Sequence, residues 1–115
     1  MFENKIISSP IPLSEIKNMA EKQFGNMIKA VVDIEKEIMA IGCELHADEE
    51  SKLIADGSMQ ENLWGINIYP DQTGDDRIEF DSMINIRPYL NNRSRNIENT
   101  DLQKRIIEIV NKLIN

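Results

Sequence analysis

Three groups of side chains in this chain are of types that do chemistry. The first lies on two alternating stretches, 63–70 and 78–88, where every second residue is apolar and the others include Asn67, Tyr69, Glu79, Asp81, Asn85 and Arg87. Glu79 and Asp81 are two residues apart, so in a strand they project from one face. Neighbouring carboxylates shift one another's pKa and support acid–base work. They serve equally as a solvated face or as partners for a nearby arginine. The second group follows in the loop after Pro88, where Arg93 and Arg95 stand among Asn91, Asn92 and Ser94. With Arg87 these are the only concentrated basic residues, and guanidinium forks match carboxylate or phosphate. The same arginines could instead anchor the loop onto Glu79, Asp81 or a helix end. The third group is Glu44-Leu45-His46-Ala47-Asp48. In an extended chain Glu44, His46 and Asp48 point the same way and offer one imidazole and two carboxylates to a divalent ion. Asp48 has a simpler alternative role as a helix cap.

Much other chemistry is excluded. The chain has one cysteine and one histidine, so most zinc-ligand sets and nucleophile triads are excluded or strained. There is no glycine-rich phosphate loop, no His-Glu-x-x-His and no nucleophile elbow. No cofactor is implied. Cys43 ends the apolar run before Glu44 and reads as a small buried thiol. A formal charge of −7 and a pI near 4.7 argue against nucleic acid and against an anionic membrane surface as partners. No apolar run approaches the roughly 18 residues of a membrane span. The first residues, Met1 to Lys5, are too polar for a secretion signal, so a reducing cytoplasm is the expected compartment.

These residues need elements to position them. At 115 residues the chain is expected to be one domain at 13–115, preceded by an extended arm over 1–12 in which Ile6 and Ile7 could add an edge strand. Ser14 would cap a helix to about residue 24, closed by Gly25. Strands at 27–34 and 38–41 would pair as a hairpin, with Val32 opposite Ala40 and Ile34 opposite Ile38. Asp48 would cap a second helix, ended by Gly57, with Leu53 and Ile54 inward. A second hairpin would place Ile68 opposite Phe80 and Trp64 opposite Ile84, with Tyr69 beside Glu79 and Asn67 beside Asp81. Thr100 to Gln103 reads as a capping box opening a last helix with the stripe Leu102, Ile106, Ile109, Val110 and Leu113. The expected fold is α+β: a four-stranded, mainly antiparallel sheet of two hairpins with three helices on one face, in the order α-β-β-α-β-β-α. The extra width of the last helix could bury a homodimer contact.

The runs at 27–35, 44–48 (ELHAD), 63–70 (LWGIN-x-YP), 78–88 (IEFDS-x-INIRP) and 92–95 (NRSR) together resemble a small prokaryotic family of unknown function. The resemblance covers roughly residues 12–114. It implies domain limits and offers no activity or catalytic residues to carry over.

The function expected from the residues is binding, through the polar sheet face and the arginine loop, of a small anionic ligand or a protein partner. Asn67, Tyr69, Glu79, Asp81, Asn85, Arg87, Arg93 and Arg95 are the candidate contacts, with Trp64 and Phe80 as core support. A competing reading is a small hydrolase using Glu44, His46, Glu79 or Asp81, with or without a metal ion. A third is the acidic member of a regulatory protein pair.

Overall fold

The computed structural model describes residues 4–115. The first three residues of the arm expected over 1–12 lie outside the described residues. The fold is α+β, as expected, with three helices and one antiparallel sheet. The strands are β1 (Lys5–Ile7), β2 (Ile28–Asp33), β3 (Ile38–Ile41), β4 (Leu63–Ile68) and β5 (Ile78–Glu79), in the order β1-β3-β2-β4-β5. The helices are α1 (Leu13–Lys22), α2 (His46–Ala55) and α3 (Thr100–Leu113). The sheet therefore has five strands rather than four. The fifth is β1, which pairs Ile6 with Ala40 at the edge of β3.

The helices do not share one face. Ile28, Ala30, Val32, Met39, Ile41, Trp64, Ile66 and Ile68 pack against α1 and α3 through Ile16, Met19, Ile106, Ile109 and Val110. On the other face Val31, Ala40 and Leu63 pack against Leu53 of α2. The sign was in the sequence: Val31-Val32 and Ile38-Met39-Ala40-Ile41 are unbroken apolar runs, as expected of strands covered on both sides. Reading them as one-sided misplaced Ala40. Val32 faces Met39, Val31 faces Ala40 and Asp33 faces Ile38, a shift of one residue from the expected pairing. The turn causes the shift. Asp33 Oδ1 accepts from the backbone N–H of Glu35 and Lys36, both at 2.9 Å. Asp33 C=O accepts from Glu37 N–H, and Glu37 takes a left-handed φ of 56°. Glu37 then binds Lys112 and Arg105 of α3.

Helix starts also differ from expectation. α1 begins after Pro12 and α2 after Leu45, neither with a side-chain cap, so Ser14 and Asp48 lie inside first turns. α3 is capped by Asn99, which accepts from Asp101 and Leu102 N–H, and Gln103 instead donates to Ile97 C=O. Ile54 is exposed; the inward residues of α2 are His46, Glu49 and Leu53, spaced i, i+3, i+7. The width of α3 is occupied within the chain, since Leu102 and Ile107 pack on the same core.

The second hairpin is short. Asn67 pairs with Glu79 and Ile68 with Ile78, two residues from the expected register, and β5 stops there. Phe80 to Ser82 leave the sheet and residues 83–85 form a single 3-10 turn. Side chains replace the missing strand along β4. Asn85 Oδ1 accepts from Gly65 N–H at 2.8 Å, and its Nδ2 donates to Gly65 C=O at 2.9 Å. One amide thus copies the paired donor and acceptor of a strand neighbour. Further along, the buried Arg87 guanidinium donates to Leu63 C=O and to Gln60 C=O and lies 4.3 Å from the Trp64 ring centroid. The strand expected to continue to Arg87 is therefore not formed. A Cβ on Gly65 would lie 2.6 Å from Ser82 Cβ and Oγ.

Asn85→Ala leaves two buried backbone groups of Gly65 unpaired and should cost on the order of 3 kcal/mol in urea denaturation. A loss under about 1 kcal/mol would show that water replaces the amide. Gly65→Ala should destabilise by about 1–3 kcal/mol, and adding Ser82→Gly should restore part of that loss in the same assay.

Candidate functional site

Where β5 ends early, the second sheet face is left open beside the start of α2. A cleft of about 380 Å³ lies there. Its polar wall consists of Lys29 from β2, Asn67 from β4, Glu79 from β5, Asp81 and Ser82 from the departing chain, His46 from α2 and Arg95 from the loop. Its apolar wall includes Met27, Leu45, Met83 and Ile84, of which Leu45 is 55% and Met83 66% exposed.

Asn67 is the centre of the polar wall. Its Nδ2 donates to Glu79 Oε1 at 2.8 Å and to Asp81 C=O at 3.3 Å. Tyr69 OH donates to the same Glu79 Oε1 at 3.2 Å. Asn67 is 5% exposed and its Oδ1 has no hydrogen-bond partner. Asp81 Oδ1 accepts from Arg95 Nε at 2.6 Å. Lys29 and Glu79, by contrast, belong to no ion pair among the described residues; the Lys29 amino group sits 5.3 Å from the Phe24 ring centroid.

His46 and Glu49 lie on one face of α2, turned to the sheet. His46 Nε2 is 2.8 Å from Ile66 C=O, and a carbonyl only accepts, so Nε2 carries the proton of the neutral ring. Burial lowers the His46 pKa, and Lys29 adds to this; the Ile66 carbonyl, Asp81 and the Asn67 amide oppose it. Glu49 is fully buried. Its Oε2 accepts from Cys43 N–H at 3.1 Å, and its Oε1 has no partner. Burial pushes its pKa up to about 10, so it is a neutral acid at pH 7.

The structure gathers part of the expected site and disperses the rest. Asn67, Tyr69, Glu79, Asp81 and Arg95 form one connected network, joined at the cleft by His46. Asn85 and Arg87 are buried and hold the β4 edge. Arg93 is exposed outside the cleft, and its loop is ordered by Asn92 and Glu98, whose side chains bind backbone groups of residues 93–98. The metal set does not assemble. α2 starts at His46, so Glu44 and Asp48 are exposed while His46 turns inward, and no group of three metal-capable side chains exists among the described residues. Cys43, beside Glu44 and Asp48 in a separate open groove, has its thiol pKa raised by burial, then by Glu49 and Asp48, which disfavours a thiolate.

The sequence reading missed Lys29, Asn67's central place and Glu49. Spacing alone could have placed Glu49 inward, on the stripe with Leu53.

The family model described as protein of unknown function (DUF5674) matches residues 5–113. The chain belongs to this family. That bears out the resemblance read from its motifs, and the match begins at β1, earlier than the residue 12 at which the resemblance starts. No curated protein and no solved structure matches the chain. The cleft residues of this DUF5674 member, from Lys29 to Arg95, all fall within the matched span.

Two of the buried titratable groups, Glu49 and His46, set opposite pH trends. Glu49 holds a proton in the folded state that the unfolded chain releases above its ordinary value of 4.5. Its contribution to stability therefore falls as pH rises from about 4.5 to about 10, by at most ~1.4 kcal/mol per pH unit. His46, neutral when folded, lowers stability as pH falls below its unfolded value of 6.5. Glu49→Gln should flatten the decline above pH 6 and be more stable than the parent at pH 8 in urea titrations. An unchanged pH slope would mean that Glu49 is ionised where it sits.

Proposed function

We propose that this domain binds a small molecule in the cleft between the start of α2, β4 and the end of β5. The observation that supports this most is Asn67. Its carbonyl oxygen is buried at the polar wall and has no hydrogen-bond partner among the described residues. An unsatisfied buried acceptor costs about 1–3 kcal/mol, and a role at a working site is one of the reasons such a group is kept. The cleft volume of about 380 Å³ suits a small ligand, at the lower end of the roughly 300–1,000 Å³ seen for ligand sites. Apolar side chains on one wall and a few convergent polar groups on the other match the usual make-up of such sites.

Anion capture by the arginine loop is the weaker version of this reading. Arg87 is committed to β4, Arg95 to Asp81, and Arg93 does not line the cleft. The remaining acceptors, Glu79 and Asp81, favour ligands that donate hydrogen bonds.

A library of small metabolites observed by ¹H–¹⁵N NMR tests the proposal. Compounds that bind should shift the Asn67 side-chain amide, the Arg95 Nε–H and the backbone of residues 45–47. Asp81→Asn should weaken them while changing stability by under about 1 kcal/mol, because the Asp81–Arg95 pair is half-exposed. Compounds that shift only residues elsewhere, or bind the variant equally well, would overturn it.

A further inference from the structure

Three side chains cross the open face in one row. Lys29 of β2 is the register partner of Asn67 of β4, and Asn67 is the register partner of Glu79 of β5. Residues in register on antiparallel strands put their side chains on the same face. The row therefore reads ammonium, amide, carboxylate. With strands spaced roughly 4.8 Å apart, the Lys29 and Glu79 backbones are about 10 Å apart, with Asn67 between them.

Neither end charge is in an ion pair among the described residues. Lys29 lies by the Phe24 ring and acts at longer range on His46 and Glu49, while Glu79 accepts from the neutral donors Asn67 and Tyr69 and feels Arg95 only at longer range. The nearby Asp81 is already neutralised by Arg95. α2 starts at the cleft without a side-chain cap, so its first backbone N–H groups face the Lys29 end, although Asp48 in the same turn offsets part of the dipole. The Glu79 end carries two carboxylates against one guanidinium, with the unsatisfied Asn67 oxygen next to them. A ligand with a single charge meets a repelling group at one end of this row. A ligand with both charges meets neither.

We infer that the cleft takes a small zwitterion of the amino-acid class, its carboxylate toward Lys29 and the start of α2, its ammonium toward Glu79 and Asp81. The juxtaposition across Asn67 of Lys29 and Glu79, neither held in an ion pair, carries this assignment. The exposed Leu45 and Met83 place an apolar wall beside the row, so the side chain of the ligand is apolar. Binding orders the charges into an alternating line: Lys29, carboxylate, ammonium, Glu79. Each end then gains a charge-assisted hydrogen bond. The inference rests on the reading of the cleft as a ligand site and narrows it to a class.

The experiment is a set of calorimetric titrations of the full chain with L-leucine, L-methionine and L-phenylalanine. Each is run against its two halves, the amine without the carboxylate and the carboxylic acid without the amine. The amino acid should bind about tenfold or more tightly than either half. Lys29→Met should reduce affinity for the amino acid and raise it for the amine, whose repulsion it removes. Glu79→Gln should reduce affinity for the amino acid and raise it for the acid. Circular dichroism and thermal melts confirm that each variant is folded. If Lys29→Met does not fold, Lys29→Gln takes its place, and the parent's discrimination between amino acid and halves already decides the question. An amine that binds as tightly as its amino acid overturns the zwitterion and leaves the cleft as a cation site. Absence of binding by all three amino acids overturns it too, while metabolites that still shift the Asn67 amide keep the cleft reading standing. Absence of any cleft-directed ligand sinks both.

Discussion

One side-chain amide determines how this sheet ends. β4 is buried and paired with β2 for its whole length, yet its outer neighbour β5 pairs with it through only two residues. A strand covered on both faces cannot leave its remaining N–H and C=O groups bare. Asn85 meets the need at Gly65, and Arg87 meets it at Leu63. Because these side chains do the pairing, the backbone after Glu79 is free to leave the sheet plane. Its departure takes Asp81 and Ser82 over the second face and opens the space below them. Asn92 then fixes the segment behind by donating to the carbonyls of Asn85, Ser94 and Asn96. The loop that carries Arg95 is thereby held in place, and Arg95 reaches back to Asp81. The cleft exists because a strand was replaced by an amide.

The fold class was legible from periodicity, and so were most elements. The last helix was clearest, because its apolar stripe repeats over four turns. The first hairpin was legible as a hairpin but not in register, since Asp33 closes its turn with a side chain that pattern counting ignores. The layering was misread for a related reason. Alternation in 63–70 suggested a sheet with one bare face, and that reading was extended to 28–41, where the apolar residues are consecutive. The β5 register failed because alternation continues through Ile84 and Ile86 although the chain there is no longer a strand. Ile84 packs on the second-face core from outside the sheet.

The site was legible by residue type and less so by role. Tyr69, Glu79 and Asp81 were placed together because side chains on paired strands meet regardless of a two-residue slip. Arg87 and Asn85 were chosen for the same polarity that makes them structural, and sequence does not distinguish a polar group that faces a ligand from one that faces a backbone. Lys29 was passed over as an ordinary polar residue in an apolar strand. Its significance comes from strand order, which places β2 next to β4 and so puts Lys29 in line with Asn67.

The short outer strands have a consequence for the protein in a crowded solution. A long exposed edge is a template on which a second chain can build cross-strand pairing, the first step toward aggregates. Here one margin is a three-residue strand soon followed by Pro10 and Pro12, and the other is a two-residue strand whose continuation is occupied by Asn85 and Arg87. A foreign strand approaching β4 would have to expel an amide that already makes both of the bonds it offers. The residues that shape the cleft therefore also guard the domain against joining copies of itself edge to edge.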